Sequence, residues 1–388
     1  MVKLVRITTV PISLDKLLQG QLKYMRGNGF DVKMISSWDE KLPLIAERET
    51  SGYVAINMKR AISPFDDIIS LIKLIKTLKK LKPDIVHTHT PKAGLLGMCA
   101  AWLVKTPIRL HTVAGLPLME TTGVKRNILE AAERWTYRFA NKVYPNSKNL
   151  QQFILDNRFC SASKLKVIGN GSSNGINTEN FKLTDSVVEQ ARQLKSKLLI
   201  GEQDFVFTFV GRLVKDKGIE ELVQSFSVIN KKHPKTRLLL VGPFEPELDP
   251  LSNDCLIKIQ SNKTIINAGF QNDIKPYLAI SSALVFPSYR EGFPNVPMQA
   301  GCFNLPAIVT NINGCNEIIN QGENGLIIPP KNIEALTDAM ERLFTDKLLY
   351  NKMKINARKM IVDRYEQTYF WSLLLKEYQQ HLKQHGIS

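Results

Sequence analysis

Short apolar runs alternate along this chain with longer segments in which apolar residues recur every three or four positions. Lys3 to Val10 alternates weakly and stops at Pro11, which predicts a first strand. Leu14, Leu17, Leu18, Leu22 and Met25 share one face of a helix expected from Leu14 to about Gly27, with Ser13 placed to cap it. Phe30 to Ile35 then reads as a second strand, which closes a β-α-β unit. The turn after the first strand carries no glycine and is no dinucleotide fingerprint. The pattern continues with an amphipathic helix over Ile68–Leu81, a strand from Ile85, a helix over Ala93–Lys105 and a strand at Ile108–His111. A helix over Lys125–Asn141 and strands at Val143 and Lys164–Ile168 complete the first half.

Gly169 to Gly175 resembles a phosphate cradle, but Asn174 stands where the third glycine of G-x-G-x-x-G is required. The polar, turn-rich stretch that follows reads as a linker. Beyond it the pattern restarts. Strands are expected at Phe205–Val210, Arg237–Val241, Thr264–Ile266, Ala283–Phe286 and Ala307–Val309. Helices are expected from about Ile219 to Lys231, over Asn332–Leu343 and Leu348–Tyr365, and from about Gln367 to Gln384. Strands alternating with crossover helices predict two α/β units in series, each built on a parallel sheet.

Length and charge refine this picture. At 388 residues, 44% of them hydrophobic, the chain is long enough for two ordinary domains. No stretch approaches the roughly 20 apolar residues of a membrane span, and Met1 to Val10 lacks the features of a secretory signal. Five scattered cysteines without a C-x-x-C pair point to free thiols in a reducing cytoplasm. Residues 1–178 carry 27 Lys and Arg against 13 Asp and Glu, a surplus of 14, whereas the remainder is nearly balanced. So uneven a distribution suits a first half that meets an anionic surface, lipid or nucleic acid. The helix over Ile68–Leu81, with Lys73, Lys76, Lys79 and Lys80 opposite its isoleucines, has membrane contact as its sharper reading and an ordinary half-buried face as its plainer one.

Three places carry candidate chemistry. Gly211-Arg212-Leu213-Val214-Lys215-Asp216-Lys217-Gly218 joins an apolar strand to a helix, a basic loop suited to a diphosphate. Pro287 to Ala300 likewise follows a buried strand, with Glu291 an acceptor for sugar hydroxyls and Gly292 permitting close approach. His111 stands where a strand gives way to the loop Thr112–Pro117. His87 and His89 are read as pointing to opposite faces of their strand, a poor metal pair.

In order and spacing these segments resemble the GT-B glycosyltransferases of family four, over nearly the whole chain. G-R-L-V-K-D-K-G resembles that family's phosphate-binding segment, and P-S-Y-R-E-G-F-P-N-V-P-M-Q-A its E-x7-E donor segment. The loops H-T-V-A-G-L-P at 111–117 and G-S-S-N-G-I-N at 171–177 look like the bacterial capsule, O-antigen and glycan-assembly branch. The resemblance implies two Rossmann-like domains facing across a cleft: residues 1–178, joined by a helix of 366–388 that crosses back, and residues 179–365. It implies retaining transfer of a sugar, with a lean toward a UDP-linked donor, to a polyprenyl-diphosphate-linked saccharide, with no metal and no other cofactor. Arg212 and Lys217 would hold the donor diphosphate beside Gly211. Glu291 would bind sugar hydroxyls, with Gly292, Phe293, Pro294 and Asn295 around the donor. His111 would act at the transferred sugar. The second glutamate of E-x7-E is here Gln299, an uncharged ribose contact. The expected location is the cytoplasm, on the inner face of the membrane, with the basic first domain against anionic lipid and no nucleic acid as partner. A nucleotide-sugar hydrolase or epimerase and a non-catalytic donor-binding partner of another transferase are the alternatives.

Overall fold

The computed structural model describes residues 1–387 except Arg60, Ile62 and Leu248, and the backbone alone of Glu120. The chain folds as two compact units: Met1–Gly175 with Gln367–Ser388, and Ile176–Glu366. The first unit holds strands β1 (Val2–Ile7), β2 (Phe30–Ser36), β3 (Gly52–Ala55), β4 (Ile85–His89), β5 (Ile108–Val113) and β6 (Lys142–Pro145). The second holds β7 (Phe205–Val210), β8 (Thr236–Val241), β9 (Ile265–Gly269), β10 (Ala283–Phe286), β11 (Ala307–Thr310) and β12 (Gly325–Ile328). Their orders are β3-β2-β1-β4-β5-β6 and β12-β11-β10-β7-β8-β9, and every pairing is parallel. Both are the doubly wound order, with the direction of winding reversing between β1 and β4 in one unit and between β7 and β10 in the other. Ligands of such sheets sit at the carboxyl ends of the strands on either side of that reversal.

Helices on both faces bury the central strands completely, which is why β7 and β10 read as continuous apolar runs. The helix expected over Leu14–Gly27 is two helices, Pro11–Leu18 and Gln21–Gly27, and the first starts at Pro11 without a cap from Ser13. Gly20 breaks it at a φ of +80°, its N–H donates to Glu49 Oε1 at 2.8 Å, and an added Cβ there would lie 2.6 Å from the Trp371 ring. Trp371 belongs to the helix Gln367–Gln384, which packs its buried face into the core of the first unit. Lys164–Ile168 forms a single bridge, Val143 to Leu165, rather than a strand. Helix Lys41–Arg48, which buries Leu42, Ile45 and Ala46 on one face, and the short, largely exposed edge strand β3 are not among the expected elements.

His87 and His89 also differ from expectation. Residues two apart on a strand share a face, and their rings stack with centroids 4.7 Å apart. Between them and the C-terminal helix lies Arg6, fully buried and without a carboxylate partner among the described residues. Its guanidinium donates to Tyr378 Oη at 2.6 Å and Gln21 Oε1 at 2.7 Å and meets His89 Nε2 at 2.6 Å. His87 joins Tyr378 Oη at 2.6 Å and Thr112 Oγ1 at 2.8 Å. Burial first, then the neighbouring Arg6 charge, hold both imidazoles well below the ordinary histidine range.

Native His87, His89 and His111 refuse protons that the unfolded chain accepts near pH 6.5, so each withdraws stability as the pH falls. The loss is about 1.4 kcal/mol per histidine between pH 7.5 and 5.5. Buried Glu133, its carboxyl pushed up to about 7 by desolvation, acts in the opposite direction. Its uptake of a proton in the native state returns about 2 kcal/mol over the same interval, leaving a net loss of about 2 kcal/mol. Thermal unfolding from pH 7.5 to 5.5 is predicted to show a falling midpoint, and a steeper fall in Glu133→Gln.

Candidate active site

The second unit brings two sequence-predicted loops together at its winding reversal. β7 runs into Gly211–Gly218 and β10 into Pro287–Pro294, and these strands are neighbours in the sheet. Gly218, at φ +70°, lies so close to the second loop that an added Cβ would stand 2.2 Å from the Pro287 carbonyl oxygen. The Tyr289 N–H donates to the Asp216 carbonyl at 2.8 Å, and Asp216 Oδ2 pairs with Arg290 at 2.8 Å. Ser288 Oγ donates to the Arg290 carbonyl at 3.0 Å, while Thr310 Oγ1 on β11 donates to the Ser288 carbonyl. Asn313 Nδ2 donates to the Gly292 carbonyl at 2.5 Å. The loop bearing Glu291 is thereby fixed from three sides.

What these contacts position is an ion pair. Lys217 Nζ lies 2.6 Å from Glu291 Oε1 and 3.4 Å from Ser288 Oγ, and the Lys217 and Glu291 side chains are only 14% and 17% exposed. Arg212 forms a second cation–carboxylate pair, with Glu245 Oε2 at 2.9 Å on the loop after β8, and that hydrogen bond raises its pKa. Cationic donors and a carboxylate held side by side match a ligand with a diphosphate at one end and hydroxyls at the other.

The adjoining helix starts differ in electrostatic character. Helix Ile219–Lys232 carries Glu220 and Glu221 in its first turn, engaged with the Ser252 N–H and the Tyr289 hydroxyl. Its positive end is therefore already compensated, and the basic side chains rather than that helix must carry an anion. Helix Asn295–Cys302 has no acid in its first turn, and it starts directly behind Glu291, Gly292, Phe293 and buried Pro294. Asn295 is exposed there. Gln299, half-buried, lies one turn on along the same face. Gly211 holds the start of the first loop, its N–H donating to the Val241 carbonyl at 2.9 Å.

His111 belongs to the other unit, on β5, and is 2% exposed. Its Nδ1 meets Thr88 Oγ1 at 2.8 Å, and the ring lies where a Cβ on Gly94 would come within 2.5 Å. Burial pushes its pKa down to about 3 against the opposing effect of the Thr88 contact, so the imidazole is neutral at pH 7. Sequence reasoning missed Glu245, Ser288, Asn313 and Thr88. Only Asn313, next to a glycine in the turn after a strand, carried a local signal.

Residues 190–360 match the family described as glycosyl transferases group 1, and residues 18–173 match glycosyltransferase family 4. The capsular polysaccharide biosynthesis glycosyltransferase CapM of Staphylococcus aureus is 34% identical over 384 residues, 98% of each chain. The chain is a family-four glycosyltransferase. This transferase is also 30% identical over 375 residues to the Escherichia coli UDP-Gal:alpha-D-GlcNAc-diphosphoundecaprenol alpha-1,3-galactosyltransferase, covering 93% of this chain and 92% of that one. Anabaena Alr3699/HepE, solved in complex with UDP, shares the fold with a TM-score of 0.80 at 18% identity, over 98% of the transferase and all of that chain. The fold is GT-B.

The Lys217–Glu291 pair is shielded enough for its two members to depend on each other energetically. A double-mutant cycle with Lys217→Met and Glu291→Gln, read by thermal unfolding, is expected to give a coupling of about 1–3 kcal/mol. Strict additivity of the two single changes would mean that solvent screens the pair.

Proposed function

We propose that this transferase moves a sugar from a UDP-linked donor to a polyprenyl-diphosphate-linked saccharide, with retention of anomeric configuration, during assembly of a bacterial surface glycan. The carrying observation is the meeting of Lys217 and Glu291 at the winding reversal of the second sheet, where a donor's diphosphate and sugar find a cation and a carboxylate within one hydrogen bond of each other. The names of the S. aureus and E. coli relatives support the glycan and lipid-linked parts of the reading. The E. coli name and the UDP bound to the Anabaena protein support the nucleotide.

In this mechanism Arg212 and Lys217, beside Gly211, bind the donor diphosphate and neutralise the charge that grows on it as the glycosidic bond breaks. Charge held ready in this way usually lowers the barrier more than any other single effect in such a reaction. Glu291 accepts hydrogen bonds from the donor-sugar hydroxyls, and the backbone from Gly292 through Asn295 shapes the same subsite. Gln299 contacts the ribose without charge. The leaving diphosphate takes the acceptor's proton on the face it departs from, which makes a second glycosidase-type carboxylate unnecessary. His111, carried by the first unit, serves the transferred sugar as a neutral hydrogen-bonding imidazole rather than as a cation.

The first unit is the acceptor-binding part and the second the donor-binding part. No helix among the described residues is long and apolar enough to cross a membrane. We place the transferase in the cytoplasm, on the inner face of the membrane, through the basic first unit. Its helix Pro64–Leu81 exposes Phe65, Ile68, Ile69 and Ile72 along the same helix as Lys73, Lys76, Lys79 and Lys80.

Thermal unfolding against UDP-, GDP- and dTDP-sugars tests the donor assignment. A UDP-sugar at a hundred times its Kd stabilises the native state by about 2.7 kcal/mol. Arg212→Ala should raise the Kd at least tenfold, cutting that stabilisation to about 1.4 kcal/mol or less, and Gln299→Glu should lower the Kd through the ribose. No shift with any nucleotide sugar at millimolar concentration would refute the donor site.

A further inference from the structure

A cavity in the first unit is built from residues that the sequence pattern did not single out as candidate chemistry. It has a volume of about 480 Å³ and is lined by the end of helix Gly123–Phe139 and by the segment Phe159–Lys164. Arg134, Arg138 and Lys164 supply its charge and Trp135, Tyr137 and Phe159 its aromatic wall; among the described residues no carboxylate lines it, although buried Glu133 lies behind Tyr137. Three cations facing one hollow repel each other unless something anionic joins them. Burial and the neighbouring Arg109 and Arg138 charges lower the Lys164 pKa.

The three cations are held differently. Lys164 donates to the carbonyls of Tyr137, Arg138 and Ala140 at 2.9, 3.2 and 2.9 Å, so all its protons are in use and it contributes charge alone. Arg134 is anchored by the Arg158 and Asn157 carbonyls at 2.7 and 3.0 Å, with its guanidinium 4.8 Å above the Phe159 ring. The Arg138 guanidinium makes no hydrogen bond or ion pair among the described residues and rests 5.8 Å from the Trp135 ring centroid. A planar, five-proton fork is left available at the exposed edge of a cationic hollow, and such a fork can grip two phosphate oxygens at once.

Around this hollow the surface is amphipathic. Trp135 is 53% exposed, and contacts through Phe139, with ring centroids 5.6 and 5.2 Å away, extend the aromatic surface to half-exposed Trp102. Half-exposed Leu103 follows Trp102 in sequence. Exposed tryptophan beside arginine is the composition that settles at the headgroup level of a bilayer.

We propose that this cavity is a phosphate-ester site that seats the headgroup phosphate of an anionic glycerophospholipid, with Arg138 as its recognising fork and Trp102 and Trp135 at the bilayer interface. The inference rests on the membrane-facing reading of the first unit and names where one lipid is held within it. A protein gripping a phosphate at a fork depends on the geometry of that arginine, whereas diffuse attraction to a charged surface depends only on the number of charges.

Co-sedimentation of the full-length protein with vesicles of phosphatidylglycerol in phosphatidylcholine, against phosphatidylcholine alone, tests it. Wild type should bind the anionic vesicles. Arg138→Ala should weaken binding about fivefold, the effect of one basic residue near the surface. Arg138→Lys should lose at least threefold although its charge is kept, while Lys79→Arg on helix Pro64–Leu81 should bind as wild type does. Because the exposed Arg138 side chain makes no hydrogen bond or ion pair among the described residues and only rests on the exposed Trp135 ring, unchanged thermal midpoints should accompany these losses. Tryptophan fluorescence with glycerol phosphate at constant ionic strength adds the soluble arm, in which weak, saturable, Arg138-dependent quenching is expected. Full binding by Arg138→Lys would overturn the site while leaving membrane association standing. No vesicle binding by wild type would overturn the membrane reading itself. A response to glycerol phosphate without any vesicle binding would assign the cavity to a soluble phosphate ester, and changed self-association of Arg138→Lys with unchanged vesicle binding would assign it to a second copy; either would overturn the lipid.

Discussion

Lys217 and Glu291 stand 74 positions apart in the chain and 2.6 Å apart in space. Nothing about either residue by itself demands that meeting. It follows from the winding reversal, which makes β7 and β10 neighbours and carries their following loops to one edge of the sheet. The loops then have to be fitted together closely, and the fit is made with backbone: Gly218 against the Pro287 carbonyl, Tyr289 N–H on the Asp216 carbonyl, Asn313 on the Gly292 carbonyl. A half-buried cation beside a half-buried carboxylate is stable only while both are present. The pair therefore compensates charge within the protein, and on the proposed reading it would set a phosphate-binding group at a fixed distance from a hydroxyl-binding one.

The first unit is built on a less common compromise. Arg6 is fully buried and, among the described residues, has only neutral partners, and Tyr378 of the C-terminal helix bridges it to His87. That arrangement ties β1, β4 and the C-terminal helix into one network, in which any missing partner leaves a buried donor or acceptor unsatisfied. Burial first, and then the Arg6 charge, hold His87 and His89 neutral, with His87 bonded through both ring nitrogens and His89 through Nε2. The two rings share one face of the strand and do not, as expected, point apart.

Much of the fold was legible because parallel strands buried on both faces leave continuous apolar runs such as Phe205–Val210, and because crossover helices such as Ile219–Lys232 keep a clean 3.6-residue spacing. The final helix, Gln367–Gln384, falls where its periodicity placed it. What periodicity could not show is order: the reversal of winding is a property of the whole sheet. The break at Gly20 was invisible for the same reason, since the ring that occupies the space belongs to Trp371 at the other end of the chain. At the site, the basic loop and the Glu291 loop announced themselves by composition, and the structure brings them together. Glu245 did not, because a glutamate in a polar turn becomes meaningful only when Arg212 is found 2.9 Å away.

A crystal structure of the protein with UDP would probe the Lys217–Glu291 site without any intermediary. The diphosphate should lie within hydrogen-bond distance of both Arg212 and Lys217, with the start of helix Asn295–Cys302 beside it and the Glu291 carboxylate facing the side from which the sugar has left. A diphosphate bound elsewhere, with the Lys217–Glu291 pair untouched, would contradict the assignment of this ion pair at the winding reversal as the donor site.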